Sequence, residues 1–295
     1  MKDVEGKVAF ITGGASGLGL SMARAFTAAG MKVAIADIEQ DALDTALKEF
    51  AGSNAEVIGI KLDVTDRNAM EAAALRTEDE LGNIHIVCNN AGVAVGGSIS
   101  EMSYADWDWV MRVNVDGVIN GMQTFLPRMQ AHGEGGHIVN TASMAGHIPV
   151  PGLSVYNTGK YAVVGLSEAV RLDLAESDVN ISVLCPGVVS TKIFNSGRNR
   201  PEELQAETDT ASRLLGVDEN DIGTNQKAIE EIFSGALDAS VIGEMVLHGI
   251  QNDEFYIFSH PELGEAVETR ASEIKDSMAR WADYRNKNDI KGSSE

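Results

Sequence analysis

Short, almost wholly apolar runs alternate along this chain with longer stretches whose apolar residues recur every three to four positions. The apolar runs read as strands at Lys7–Thr12, Lys32–Asp37, Val57–Leu62, Ile84–Asn89, His137–Thr141, Asn180–Cys185 and Glu254–Phe258. They lack a polar alternate face, as expected of strands covered on both sides. The periodic stretches predict helices over 17–29, 39–50, 66–81, 104–131 and 155–176. Strands alternating with helices imply an α/β fold, a doubly wound parallel sheet of seven strands with right-handed crossovers.

The alternation stops after Pro186. Residues 199–231 hold nine acidic and three basic residues, with one or two short helices expected among them. Beyond the last strand, Pro261 opens a charged helical stretch over 262–285 and a polar tail, 286–295. The expected organisation is one domain over 1–260, containing a substrate-covering loop over 187–245, with a helical extension over 261–295.

Composition narrows the function. A formal charge of −21 argues against nucleic acid and anionic membrane surfaces as partners. No apolar run approaches the ~20 residues that span a bilayer. The first residues, Met1-Lys2-Asp3-Val4-Glu5, do not read as a secretory signal, so a cytoplasmic location is expected. Both cysteines, Cys88 and Cys185, lie in strand-like runs and are expected as buried reduced thiols. No Cys/His cluster has zinc spacing, so no metal is expected.

The run Thr12-Gly13-Gly14-Ala15-Ser16-Gly17-Leu18-Gly19 lies between the first strand and the first helix. A glycine-rich turn there brings backbone N–H groups to a phosphate at the positive end of the helix dipole. Asp37 ends the second strand, where a carboxylate can accept hydrogen bonds from adenosine ribose hydroxyls and repel the 2′-phosphate of NADP. No Arg or Lys stands at 14–16 or 38–40 to neutralise that phosphate. NAD is therefore expected over NADP. The other reading of Asp37 is a cap for the next helix. Asp63-Val64 and Asn89-Asn90-Ala91-Gly92 end the third and fourth strands, at the edge where ligands bind in this architecture.

Tyr156 and Lys160 stand four apart at the start of a helical pattern, and so on one face. A free phenol has a pKa of ~10. A nearby ammonium lowers that value and makes the phenol an acid/base group for an alcohol or carbonyl. Ser143, just past the fifth strand, can hydrogen-bond an oxygen on which charge develops. Asn114, an amide inside an apolar helical stretch, is expected either to hold a water relaying protons to Lys160 or to bridge backbone groups.

These residues, with Pro186-Gly187-x-Val189-x-Thr191, fall in an order that resembles the short-chain dehydrogenase/reductases, in their shorter subgroup. The resemblance covers about residues 5–260. It implies a Rossmann-type fold, hydride transfer to or from nicotinamide, and a catalytic tetrad of Asn114, Ser143, Tyr156 and Lys160. It further implies that Lys160 and Tyr156 meet the nicotinamide ribose, that Val189 and Thr191 hold the carboxamide, and that Gly13, Ser16, Gly17, Leu18, Gly19, Asp37, Asp63, Val64, Asn90, Ala91, Gly92, Pro186 and Gly187 line the cofactor. A homodimer or homotetramer built on helices 104–131 and 155–176 is implied as well.

The loop after Pro186-Gly187 covers substrate in that family. Ile193, Phe194, Leu214, Leu215 and Phe233, with Met144, His147 and Leu153, suggest a largely apolar pocket. For His147 itself, a surface or backbone-bonded position is the expectation. The stretch 195–201 and the C-terminal extension resemble a bacterial subgroup, some of whose members oxidise benzylic alcohols of lignin-derived aryl ethers. The expected activity is oxidation of a secondary alcohol, aryl carbinols included, or reduction of the ketone. The alternatives are a 3-oxoacyl carrier-protein reductase, an epimerase or dehydratase, and a catalytically idle NAD-binding regulator.

Overall fold

The computed structural model describes residues 1–205 and 235–291. They group into two units, Met1–Ser259 and His260–Glu295.

The first unit alternates β1 (Val8–Thr12), α1 (Gly17–Ala28), β2 (Lys32–Asp37), α2 (Gln40–Phe50), β3 (Val57–Lys61), α3 (Arg67–Leu81) and β4 (Ile84–Asn89). It continues through α4 (Tyr104–Met111), a π-helical turn (Arg112–Asp116), α5 (Gly117–His132), β5 (Gly136–Thr141), α6 (Ser154–Asp173) and β6 (Val179–Cys185), and ends with α7 (Ala239–Asn252) and β7 (Tyr256–Phe258). The seven strands form one sheet in the order β3-β2-β1-β4-β5-β6-β7, every neighbouring pair parallel. The chain starts at the centre, winds out to β3, returns to β4 and winds out the other way. The winding reverses between β1 and β4, and it is outside the carboxyl ends of such strands that a crevice opens.

The sheet forms because its strands are apolar on both faces. Every residue of β1, β4 and β5 is buried. Phe10 on β1 packs on Phe125 of α5 with ring centroids 4.6 Å apart.

Two expectations change. The stretch 104–131 is two helices joined by the π-turn, in which Gly117 N donates to Arg112 O. One extra residue is accommodated there, a local device that an apolar period does not reveal. Helix α7 falls partly inside the segment expected to be loop. Ile242, Val246 and Ile250 are fully buried on it. Gly243 is no helix breaker here: a Cβ on it would come within 2.4 Å of Ser21 O, so the glycine lets α7 lie directly on α1. The residues 206–234, with Leu214, Leu215, Phe233 and any short helices among them, lie outside the described residues.

The second unit consists of a short 3-10 turn, Pro261–Leu263, and α8, Gly264–Lys287. Ile274, Met278 and Trp281 follow one another along α8 at helical spacing. Among the described residues no helix is long and apolar enough to cross a membrane.

Candidate active site

The glycine turn joins β1 to α1 at the sheet's centre. Gly13 takes a φ of +61°, and a Cβ on Gly19 would come within 2.1 Å of Gly13 O. Only glycine lets helix and turn approach this closely, leaving N–H groups at the helix start pointing into the crevice. Ser16 precedes the first turn of α1 with no side-chain capping bond, and Leu18 packs at the edge of the core.

The ends of neighbouring strands are tied together behind this turn. Thr12 Oγ1 accepts from Asn90 N at 2.9 Å and from Ala91 N at 3.0 Å. Asn90 Nδ2 donates to Thr12 O at 3.0 Å, and its Oδ1 accepts from Thr141 Oγ1 at 3.3 Å. Asn90 thus joins β1, β4 and β5. The sequence singles out both Asn90 and the run that Thr12 opens, but not that the two are bonded to each other.

At the end of β2, Asp37 accepts from Ala15 N and Glu39 N, both at 3.1 Å. Glu39, not Asp37, precedes the first turn of α2. Burial raises the Asp37 pKa, against the lowering effect of these backbone donors. The carboxylate therefore lies at the crevice beside the glycine turn. Asp63 is exposed and accepts from Thr65 N at 2.9 Å. Val64 is buried, and its carbonyl accepts from Asn120 Nδ2 at 2.9 Å.

Ser143 follows β5. Its hydroxyl donates to Pro186 O at 3.3 Å, accepts from Ala145 N at 3.1 Å, and hydrogen-bonds the Tyr156 hydroxyl. Tyr156 and Lys160 stand on one face of α6, with Lys160 Nζ 5.5 Å from the Tyr156 ring centroid. Lys160 is buried, and its Nζ donates to Thr141 O at 2.9 Å. Burial dominates both groups. It raises the Tyr156 pKa, with the Ser143 hydrogen bond acting in the opposite direction, and lowers that of Lys160 to about 8. The ammonium faces the ring rather than the hydroxyl, so in this arrangement it does not produce the depressed phenol pKa that the spacing suggests.

Asn114 sits in the π-turn and is buried. Its Oδ1 accepts from Val93 N at 2.8 Å and its Nδ2 donates to Val93 O at 2.9 Å. The side chain thus bridges both polar groups of the Val93 backbone. Asn114 and Lys160 converge at Gly92, where a Cβ would lie 3.4 Å from Asn114 Oδ1 and 3.7 Å from Lys160 Nζ.

His147 is partly exposed and packs against the ends of β6 and β7. Its Nε2 lies 3.3 Å from Cys185 Sγ, and its ring packs edge-on against Tyr256 and Phe258. Met144 and Leu153 are buried, while Phe194 is partly exposed. Both cysteines are buried and free.

Beyond β6, Pro186 O accepts from Met144 N at 2.8 Å, and Gly187 N donates to Ser259 Oγ at 3.2 Å. Val189 is buried and bridges to Leu237. Thr191 Cγ2 lies 3.2 Å from where a Cβ on Gly17 would sit. Residues 193–205 then run as a strap. Ser196 Oγ accepts from Ala94 N at 3.1 Å and donates to Ala94 O at 3.2 Å. Arg200 Nη1 pairs with Asp106 Oδ1 at 2.6 Å while its guanidinium stacks 5.1 Å from the Trp109 ring centroid. Arg198 and Asn199 reach Glu39 on the far side of the sheet's centre. None of Ser196, Arg198, Asn199 or Arg200 stands out in the sequence as a site residue. Among the described residues no group of three or more His, Cys, Asp or Glu is arranged to hold a metal ion.

Comparisons with known proteins bear on this arrangement. Residues 7–202 match the short chain dehydrogenase family. A C alpha-dehydrogenase of Sphingobium sp. strain SYK-6 is 36% identical over 280 residues, 95% of this chain and 88% of that protein. A CLA biosynthesis dehydrogenase/reductase of Lactiplantibacillus plantarum is 32% identical, covering 93% of this chain and 95% of its own length. The structure of a short-chain dehydrogenase/reductase from Burkholderia phymatum in complex with NAD superposes with a TM-score of 0.87 at 36% identity, covering 94% of this chain and 97% of that one. The tied strand ends, the glycine turn and these likenesses lead to one assignment: the chain belongs to the short-chain dehydrogenase/reductases, a family of Rossmann-fold, nucleotide-binding oxidoreductases.

Proposed function

We propose that this protein oxidises a secondary alcohol to a ketone, or runs the reverse reaction, with NAD as cofactor. The observation that carries the reading is the Tyr156 hydroxyl, hydrogen-bonded to Ser143 and backed by the buried Lys160, at the carboxyl ends of the strands. The glycine cradle fits a dinucleotide: with no Cβ on Gly19 the turn packs directly onto the start of α1, whose N–H groups suit a phosphate. Gly13, Ser16, Gly17, Leu18 and Gly19 would hold the pyrophosphate, Asp37 the adenosine ribose and Asp63-Val64 the adenine edge. Asn90, Ala91, Gly92, Pro186, Gly187, Val189 and Thr191 would line the nicotinamide half. When bound, the oxidised nicotinamide supplies the hydride acceptor and a positive charge.

Ser143 holds the substrate oxygen and steadies the charge that develops on it. Tyr156 removes the hydroxyl proton in oxidation and returns it in reduction. Burial alone keeps the phenol protonated. Lys160, whose ammonium is charged below a pKa of about 8, lies over the ring and holds the phenol in place rather than depressing its pKa. Asn114 positions the Val93 backbone and, through the shared approach to Gly92, the floor beneath Lys160.

Asp37 favours NAD over NADP. The surroundings agree: Arg198, which reaches this end of the crevice, is paired with Glu39. The likeness to a C alpha-dehydrogenase supports testing aryl carbinols first among candidate substrates. The test is NADH formation by the purified protein with aryl carbinols, alkyl carbinols, steroids and hydroxyacyl thioesters, each with NAD and with NADP. Turnover of a carbinol with NAD is expected. Turnover only with NADP and a hydroxyacyl thioester would replace this reading with the acyl reductase.

A further inference from the structure

The strap leaves the end of β6 and must cross β5, β4 and β1 to reach β2. Its contacts mark the route. Thr191 lies against Gly17 at the start of α1, Ser196 against Ala94 beyond β4, and Arg198 with Asn199 against Glu39 beyond β2. Arg198 donates to Glu39 through Nη2 at 2.6 Å and Nε at 3.1 Å, and Asn199 Nδ2 donates to Glu39 Oε1 at 2.9 Å. Arg198 Nη1 also donates to Asn195 O at 2.6 Å, which holds its guanidinium in place for the pair. Glu39 is two residues beyond Asp37, and its own N–H is bonded to that carboxylate.

The strap's fastenings differ in depth. The Arg200–Asp106 pair is buried, with side chains 6% and 0% exposed. The Arg198–Glu39 pair is open to water, at 29% and 30%. The open pair is the weaker, since water and salt compete for it. Residues 197–199 can lift from Glu39 while Ser196 and Arg200 keep their partners.

We propose that Glu39, Arg198 and Asn199 form a clasp that closes the strap over the adenosine end of the cofactor groove and sets the rate at which the dinucleotide leaves. The inference rests on the reading of that groove given above. It assigns to Glu39 and Arg198 a positioning role, exerted through the strap, with no part in hydride transfer.

The experiment is stopped-flow fluorescence of NADH release from the full chain, at low and high salt, for the wild type, Arg198→Ala, Glu39→Ala and the exchanged pair Glu39→Arg/Arg198→Glu. Release is expected to be up to about fivefold faster in either single variant, the upper range for an open ion pair. Wild-type release should quicken with added salt, Arg198→Ala should respond less, and the exchanged pair should recover part of the slow release. Melting temperatures close to wild type would show that the variants are folded. Equal release rates and equal salt responses in wild type and Arg198→Ala would overturn the clasp alone. A wild type that binds neither NADH nor NADPH would overturn the groove reading, and the clasp with it.

Discussion

The two sides of the crevice are built differently. One side, formed by β4, β5, α6 and the π-turn, holds Lys160 and Asn114 through short hydrogen bonds to buried backbone, Lys160 Nζ to Thr141 O and Asn114 to both polar groups of Val93, with Ser143 and Tyr156 beside them. The other side, the strap after β6, is fastened through side chains that reach across the sheet. Backbone partners in a packed core have nowhere to move, so the reacting groups keep their geometry. A fastening between side chains can open and close without disturbing that core. Chemistry needs the first property and ligand exchange needs the second.

Substitutions on the two sides should therefore fail in different ways. The largest effect is expected from Tyr156→Phe, which removes the hydroxyl and leaves the fold: turnover should fall by about 10³-fold, within the range for a general acid/base group, with NAD affinity kept. Steady-state rates together with calorimetric NAD binding check this, and loss of binding along with rate would blur the contrast. On the strap, Arg200→Ala removes the cation paired with the buried Asp106 and should cost about 3 kcal/mol of stability in denaturant unfolding. The double variant Asp106→Asn/Arg200→Met should regain part of that loss. Asp37→Ser should raise the KM for NAD about tenfold and narrow the preference over NADP, as expected for loss of a charged hydrogen-bond acceptor.

A further effect concerns stability against pH. Burial sets the Lys160 pKa at about 8 in the folded protein, against 10.5 as its ordinary value. Between those values the unfolded chain binds a proton that the folded chain does not, so this group makes stability rise with pH through that window. Lys160→Met lacks the contribution. Its melting temperature relative to wild type should be highest near pH 7 and fall as the pH passes from 8 to 10.5. A difference that stays flat with pH would mean that Lys160 is less penalised by burial than its surroundings indicate.

The sheet was legible because its strands are short runs dominated by Val, Ile and Ala, as burial on both faces favours. The reacting side was legible because Tyr156 and Lys160 share one helix, where spacing alone determines a common face. The strap was not. Arg198 and Glu39 are 159 positions apart, and Arg200 and Asp106 are 94 apart, so no local period relates them. Helix α7 was hidden for another reason: β-branched residues with Gly243 and Gly249 are poor helix formers and its start fell in the segment expected as loop, whereas both glycines serve close packing, Gly243 on Ser21 and Gly249 on Ile257. For His147, Cys185 and the rings of Tyr256 and Phe258 come from the far end of the chain, which again leaves no local trace.

The π-turn at Arg112–Asp116 carries a consequence for changes of length. Deleting one residue there would restore a regular helix and turn everything before it by about 100° relative to α5. Asp106 and Trp109 would swing away from Arg200, and Asn114 would lose Val93. A substitution in this stretch alters one side chain, but a one-codon deletion re-aims a helix. Relatives that keep this site should vary freely in the identity of several residues across the turn while holding their number fixed.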